Sequence, residues 1–566
     1  MKSIRLSLWP LEPRLTPATI VVTTVADAGA GSFRDALAQA DALPGKDTIK
    51  FKLPAPPANS ENIITLTTGE LTTTGNVTIS GPGSGKLIVS GNNASRVFNI
   101  NDADGATDSP TTIGGLSIVS GNAAGGFGGG IYSLESLTLK GVVVSGNSAG
   151  NGAGVRVAGA SASVTISNSL IVKNTASGLG GGLDLFNLKS ISISKSIISG
   201  NSAVNEGGGA YLYLNATTGT GISVTGCTVT GNQASVGGGI RVASSIISAD
   251  VVTTLKGCTI AGNTSTSTGV DGGGGLSFNG GHSSISGSTI SNNTAVYFGG
   301  GIHVNGLESL KISKSTISGN RTTATNAADQ GGGGVAIVDF GAATLKPATI
   351  TGCSILNNSS AWDGGGVLAK NGVSLTISSS KFTSNRAVTF GGGVATIGAG
   401  ANKTNLEVKS STFASNYSAF GGGAILAGGE GKLSVLGTKI IGNTAVNYGG
   451  GIAGISLGAA GEIVIKNTIV SGNVSSAGGG LYIGSTPNFQ ISGGSIANNS
   501  GTTGGGVFVA NSTGTIQGTS ITGNTATTAG GGVYNFGGGT LALQISKVVG
   551  NTAPTDPNVF GPFTAI

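Results

Sequence analysis

Few residues in this chain have side chains able to bind or cut another molecule. Only 9% of the 566 residues are charged. The carboxylates of the repeated region are scattered, and inverting hydrolysis needs two of them about 6.5–9.5 Å apart. Glu206, Asp271 and Asp363 stand at equivalent places just ahead of glycine clusters, but on separated repeats, so their spacing predicts no adjacent pair. A denser pattern falls one residue past the first apolar residue after each glycine cluster. It reads Tyr132, Arg156, Asp184, Tyr211, Arg241, Ser277 and His303, then Ala336, Leu368, Ala395, Ile425 and Ala453. On a strand that place points away from the core. Tyr132, Arg156, Asp184, Tyr211, Arg241 and His303 are therefore predicted to line an outward face that could contact an extended polysaccharide; a solvated face with Arg–Asp pairing is the plainer alternative. The apolar half, Ala336 to Ala453, reads as a packing surface for a partner or a second copy. A second column just before the glycines holds Phe298, Phe390, Phe420 and Tyr448, with Trp362 one place off. Those rings can stack on sugars or on one another.

No metal or cofactor is called for. The loop Asn101-Asp102-Ala103-Asp104-Gly105 with Asp108 lacks the EF-hand spacing and its terminal Glu, so it reads as a solvated turn. Cys227, Cys258 and Cys353 each lie five residues before a repeated Asn and share one inward column. Stacked about 4.8 Å apart, Cys227 and Cys258 sit wide for a disulfide, and a metal site lacks its fourth ligand. Buried thiols are expected.

The element that must position all of these is a repeat. Asn122, Asn147, Asn174, Asn201, Asn232, Asn263, Asn293, Asn320, Asn358, Asn385, Asn416, Asn443, Asn473, Asn499, Asn524 and Asn551 each follow an apolar residue by three, at a mean interval of about 29 residues, a period that signals a solenoid. After each Asn come a small residue at the second place, a variable stretch, a glycine cluster and an alternating apolar run, as in Ile240-Arg241-Val242. Period-two alternation and β-branched residues before the Asn are strand signals. A unit of this length with two or three short strands closes into one turn of a parallel β-helix. Stacked asparagines can hydrogen-bond along the axis as a ladder. The glycines supply positive φ and close backbone approach.

The chain ends and the charge add less. Residues 19 to 25 read as a strand and Gly31 to Ala40 as a helix. Ser32 and Asp35 form a capping box, and Pro44-Gly45 stops the helix. Such a helix covers the first turn's open edge. A net charge of +6 without Arg clusters makes no case for nucleic acid. No stretch reads as a transmembrane helix. Lysines form a loose stripe: Lys140, Lys256, Lys409 and Lys466 stand seven before the Asn, Lys195 and Lys314 six before, and Lys381, Lys439 and Lys547 four before. Solubility explains them; attraction to acidic polysaccharide is the sharper reading. The polar insert Arg321 to Gln330 could be a lid or decoration.

Several resemblances extend this reading. Leu11-Glu12-Pro13-Arg14-Leu15-Thr16-Pro17 resembles the LEPR-type segment of large planctomycete extracellular proteins, which implies export. Residues 31–40 resemble an element that often precedes bacterial β-helix domains, which implies capping. Phe382-Thr383-Ser384-Asn385, Phe413-Ala414-Ser415-Asn416 and the Gly-Gly-Ala-Ile at 422–425 resemble repeats of chlamydial polymorphic outer-membrane proteins, which implies a surface-displayed, adhesin-like rod and a right-handed helix. Parallel β-helices also include pectate lyases and polygalacturonases, but His282 does not reproduce the Gly-His-Gly motif of the latter.

The expectation is an all-β, right-handed parallel β-helix of about 16 or more turns with an N-terminal capping helix. Its segments are a targeting-like stretch (1–18), strand and cap (19–48), helix (49–553) and tail or cap (554–566). The expected role is an extracellular or cell-surface rod contacting polysaccharide or another surface protein, with a carbohydrate-active lyase or hydrolase as the alternative.

Overall fold

The computed structural model describes residues 17–56, 60–103, 108–215, 217, 219–243, 252–269, 271–306, 308–324, 330–339, 344–400 and 402–565. The LEPR-type residues 11–16, Asp104 and Gly105 of the calcium-like loop, and 325–329 of the polar insert lie outside the described residues.

One turn explains the rest. Val155–Ala158 follows the glycines, Ser163–Ser167 forms a middle strand, Leu170–Val172 leads to Asn174, and Thr175–Ala176 follows it. Each strand pairs in parallel with its equivalent on the next turn: Val155 with Leu183, Ser163 with Ser190, Leu170 with Ile197 and Thr175 with Ser202. Among the described residues the middle sheet has twenty strands, and the post-glycine and pre-asparagine sheets have eighteen each. At about 4.8 Å per turn, such a stack is about 90 Å long. Alternation sends Val155, Val157, Val164, Ile166 and Ile171 into the bore. Each contributes roughly 1.5–3 kcal/mol before its ordering entropy. Repeated down the rod, these residues make one continuous core.

Fifteen asparagines form the ladder. From Asn147 to Asn551 each side-chain Nδ2 donates to the Oδ1 of the next rung at 2.9–3.0 Å. Its backbone N–H shares that acceptor, and Nδ2 also reaches a backbone carbonyl of the preceding turn, as Asn293 does to Ile260. Asn551 hands on to Asn558, which ends the row. Asn122 is not a rung. Val144 pairs with Ile118 and Ser145 with Val119, so Gly121 is the residue opposite Asn147, and it is the Gly121 N–H that donates to Asn147 Oδ1. The small second residue packs as predicted: Ala149, Ala176, Ala203 and Ala234 stack in a satellite cluster. A Cβ on Gly182 would stand 2.5 Å from the Gly209 carbonyl and 3.0 Å from the Asn201 amide carbon. The ladder therefore leaves room beside it for glycine or, at Ala424, a single methyl group.

At the N-terminal end a helix, α1 (Phe33–Ala42), lies over the first turns with Phe33, Ala36, Leu37 and Ala40 buried. Ser32 Oγ accepts the Asp35 N–H, while the Asp35 carboxylate accepts from Gly31 instead of Ser32, so the box closes one residue early. Phe33 sets its ring against Phe51 and Phe98. Among the described residues no helix is long and apolar enough to cross a membrane. Cys227, Cys258 and Cys353 are buried and free; burial pushes the Cys353 thiol up.

Candidate functional site

The column after the glycines comes together on successive turns, with Tyr132, Arg156, Asp184, Tyr211, Arg241, Ser277, His303 and Ala336 in register. It does not form the solvated face that alternation predicts. Asp184 and His303 have no exposed surface, and Arg156, Tyr211 and Arg241 are buried; Tyr132 is half-buried. The cause is the corner glycine four residues earlier. Gly180, at φ +59°, curls the chain back so far that a Cβ there would sit 2.6 Å from the Asp184 Cβ, and one on Gly237, at φ +62°, would sit 2.8 Å from the Arg241 Cβ. Pointing away from the bore is thus not pointing into water.

Enclosed charges must be paired. Arg156 forms an ion pair with Asp184, and its guanidinium lies between the Phe127 and Phe186 rings, 4.6 and 5.1 Å from their centroids. Arg241 Nε meets Glu206 at 3.1 Å, its second terminal nitrogen lies 3.7 Å from Asp271, and its other donates to Ser277 Oγ at 2.7 Å. Glu206 and Asp271, predicted to be separated, are therefore joined through the turn between them. Asp363, further along, is spent on the Thr389 hydroxyl and the Phe390 N–H.

Burial dominates the titration of this row. It pushes the Asp184 carboxyl up to about 6 against the pull of Arg156. It pushes Tyr211 up to about 12, with Glu206 and Asp184 adding to the effect. It pushes His303 down to about 4, opposed by Asp271 and reinforced by Arg241. His303 Nδ1 accepts the Gly272 N–H at 3.1 Å, which leaves the proton on Nε2, a buried atom with no partner. Its ring stacks on Phe298, 5.4 Å between centroids. Among the described residues no three His, Cys, Asp or Glu side chains are placed to hold a metal.

The apolar half is buried too. Ala336, Leu368, Ala395, Leu426 and Ala453 form a second hydrophobic cluster with Phe298, packed against Phe390, Tyr448 and Tyr482. Ile425 is not in the column: Val394 pairs with Ile425 and Ala395 with Leu426, because Ala424 stands where other repeats have their last glycine. The predicted aromatic stripe is two registers. Phe390 bridges to Gly421 and Gly421 to Tyr448, so Phe420 sits one place early, as Trp362 does beside Asp363. The rings of Phe390, Phe420 and Tyr448 nevertheless touch, 4.9 and 5.5 Å apart edge to face. From Tyr448 the stack passes into the other column, through Tyr482, Phe508, Tyr534 and Phe560, at 4.6–5.3 Å. These four were missed; counting the same place past Ala453 would have found them. In the stretch from Tyr482 to Phe560 the planes are within 10–17° of parallel, so Phe508 and Tyr534 have both faces taken by neighbouring rings and offer a sugar only their edges.

A family model described as a right handed beta helix region matches residues 237–440. With the parallel register and the ladder, that decides the architecture. The chain is a right-handed parallel β-helix repeat protein. The β-helix continues on both sides of the matched segment, from strands at Leu71–Thr73 to Val559–Phe560. No curated protein matches the sequence.

Proposed function

We propose that this β-helix is an extracellular or cell-surface rod, structural or adhesin-like, that contacts polysaccharide or another surface protein through its outer faces. One observation carries the non-catalytic part of this reading: the charged members of the row richest in titratable groups are buried and already engaged, Arg156 with Asp184 and Arg241 with Glu206 and Asp271. A general acid or base must reach substrate, and these are held by each other. The likeness of the Phe-x-x-Asn and glycine motifs to surface-displayed repeats, and of residues 11–17 to an export-linked segment, supports the location.

The convergence of Glu206 and Asp271 on Arg241 favours one second reading, a carbohydrate-active enzyme, because both carboxylates keep about a third of their side-chain surface exposed. A panel of soluble and insoluble glycans, scored for binding and for new chain ends, separates the two. The rod reading expects binding without cleavage, unchanged by Glu206→Gln. Cleavage abolished by that substitution would replace it.

A further inference from the structure

Five places before each ladder asparagine the chain turns a small polar side chain inward. On most turns it is a hydroxyl with a fixed task. Ser288 Oγ, for example, donates to the Ser286 carbonyl and accepts the Cys258 N–H from the turn before, and Ser380 does the same with Ser378 and Cys353. Three turns carry a thiol there instead. Cys353 is alone, with Ser315 and Ser380 as its register neighbours. Cys227 and Cys258 are not. Thr228 pairs with Thr259, and the Thr259 N–H donates to the Cys227 carbonyl at 2.9 Å, so the two cysteines are stacked on successive turns. Each is 1% exposed, and both belong to the main apolar core. Their sulfurs lie 3.5 Å from the Ile193 carbonyl and 3.3 Å from the Val224 carbonyl. The side chains also act on each other, since Cys227 holds the Cys258 thiol down to about 7.

We propose that Cys227 and Cys258 form a two-coordinate site for a soft divalent ion, of which the mercuric ion is the representative, held in line between the two sulfurs. Spacing, charge and ligand count select that chemistry. Register neighbours stand about 4.8 Å apart, and two metal–thiolate bonds of about 2.3 Å in line span about 4.6 Å. A disulfide needs its Cβ atoms at about 3.8 Å, which would pinch the stack. On binding, two S–H bonds break, two metal–sulfur bonds form and two protons leave, with nothing oxidised or reduced. A divalent ion with two thiolates is neutral, which an apolar core accepts; a monovalent ion would leave one buried negative charge without a partner. Thiolates prefer soft ions. Zinc needs four ligands, and among the described residues no third Cys, His, Asp or Glu is placed to supply one. The ion's path in is short, because Gly226 and Gly257, immediately ahead of the cysteines, are exposed, and loosening of that corner alone uncovers the sulfurs. The site stands whatever the rod contacts.

The test titrates the reduced full chain with mercuric chloride. One ion per chain should bind tightly, with two protons released, a thiolate-to-metal absorption band in the ultraviolet and a raised melting temperature. A large excess of a monothiol should fail to strip it, because two thiolates on one scaffold act at high effective concentration. Cys227→Ser and Cys258→Ser install the hydroxyl that neighbouring turns carry, so the fold is kept, and each should lose the ion to the monothiol at least about tenfold more easily. Cys353→Ser should behave as the parent. Retention unchanged in either of the first two variants overturns the site, as does an equal loss in Cys353→Ser or competition by Zn²⁺ at equal concentration. A Cys227–Cys258 disulfide that forms fully under mild oxidation with the melting temperature unchanged would also overturn it, by showing that the stack closes at no cost.

Discussion

Replacing Asn293 by alanine takes one rung from the middle of the ladder while leaving the apolar core intact. Four hydrogen bonds go. Nδ2 no longer donates to Ile260 O and Asn320 Oδ1, both 2.9 Å away, and Oδ1 no longer accepts from the backbone and side-chain nitrogens of Asn263, at 3.0 and 2.9 Å. Some partners survive: Asn263 Nδ2 keeps Val229 O, and Asn320 Oδ1 keeps the Asn293 N–H. The Asn263 N–H is left buried and unmade. At about 0.5–1.5 kcal/mol net for each lost bond and 1–3 for the orphan, the cost is about 3–9 kcal/mol. Asn122→Ala is the internal control, because that side chain is half-buried and outside the ladder, bonding only Asn93 O and the Ala124 N–H. It should cost under about 1.5 kcal/mol. A solenoid opens locally, so both variants are read by urea unfolding and by hydrogen exchange of the turns from Thr259 to Thr322. Equal shifts for Asn293→Ala and Asn122→Ala would refute the ladder as a source of stability.

His303 has a folded pKa of about 4 against an ordinary 6.5, so the unfolded chain takes up its proton first as pH falls. Its contribution is complete above pH 6.5, declines towards pH 4 by up to about 3 kcal/mol, and should vanish from the pH profile of His303→Leu. Phe508→Ala removes the ring between Tyr482 and Tyr534 and should cost about 2–3 kcal/mol with a changed near-ultraviolet circular dichroism. Cys227, Cys258 and Cys353 should resist a thiol reagent in the native protein and all react once it is unfolded; rapid labelling of the folded chain would contradict their burial.

The fold was legible because the repeat states it many times. Each Asn, each small second residue and each glycine cluster answers to a local contact that recurs on every turn, so one copy's ambiguity is removed by the next. The limits show where a single residue shifts register. Asn122 and Ile425 fit the motif by spacing, yet the pairing puts Gly121 and Leu426 in their places. The candidate site was legible as a column and misread as a surface. Strand parity separates the bore from the outside, but only the positive φ of glycines such as Gly180 and Gly237 decides that the outside is roofed. That roof turns Arg156 and Asp184 from a contact surface into mutual partners and encloses His303 with its Nε2 unpaired. The joining of Glu206 to Asp271 through Arg241 needed side-chain reach across two turns, which spacing along the chain does not encode.

From Asn147 to Asn551 one ladder register runs unbroken and ties the turns together. Hydrogen exchange measured across the whole chain tests it most directly. The strands before the ladder asparagines, from Val143 to Ile521, should be protected as one contiguous block, with the corner segments between them exchanging fast. Protection that breaks in mid-rod, or ladder strands that exchange as quickly as the corners, would contradict it.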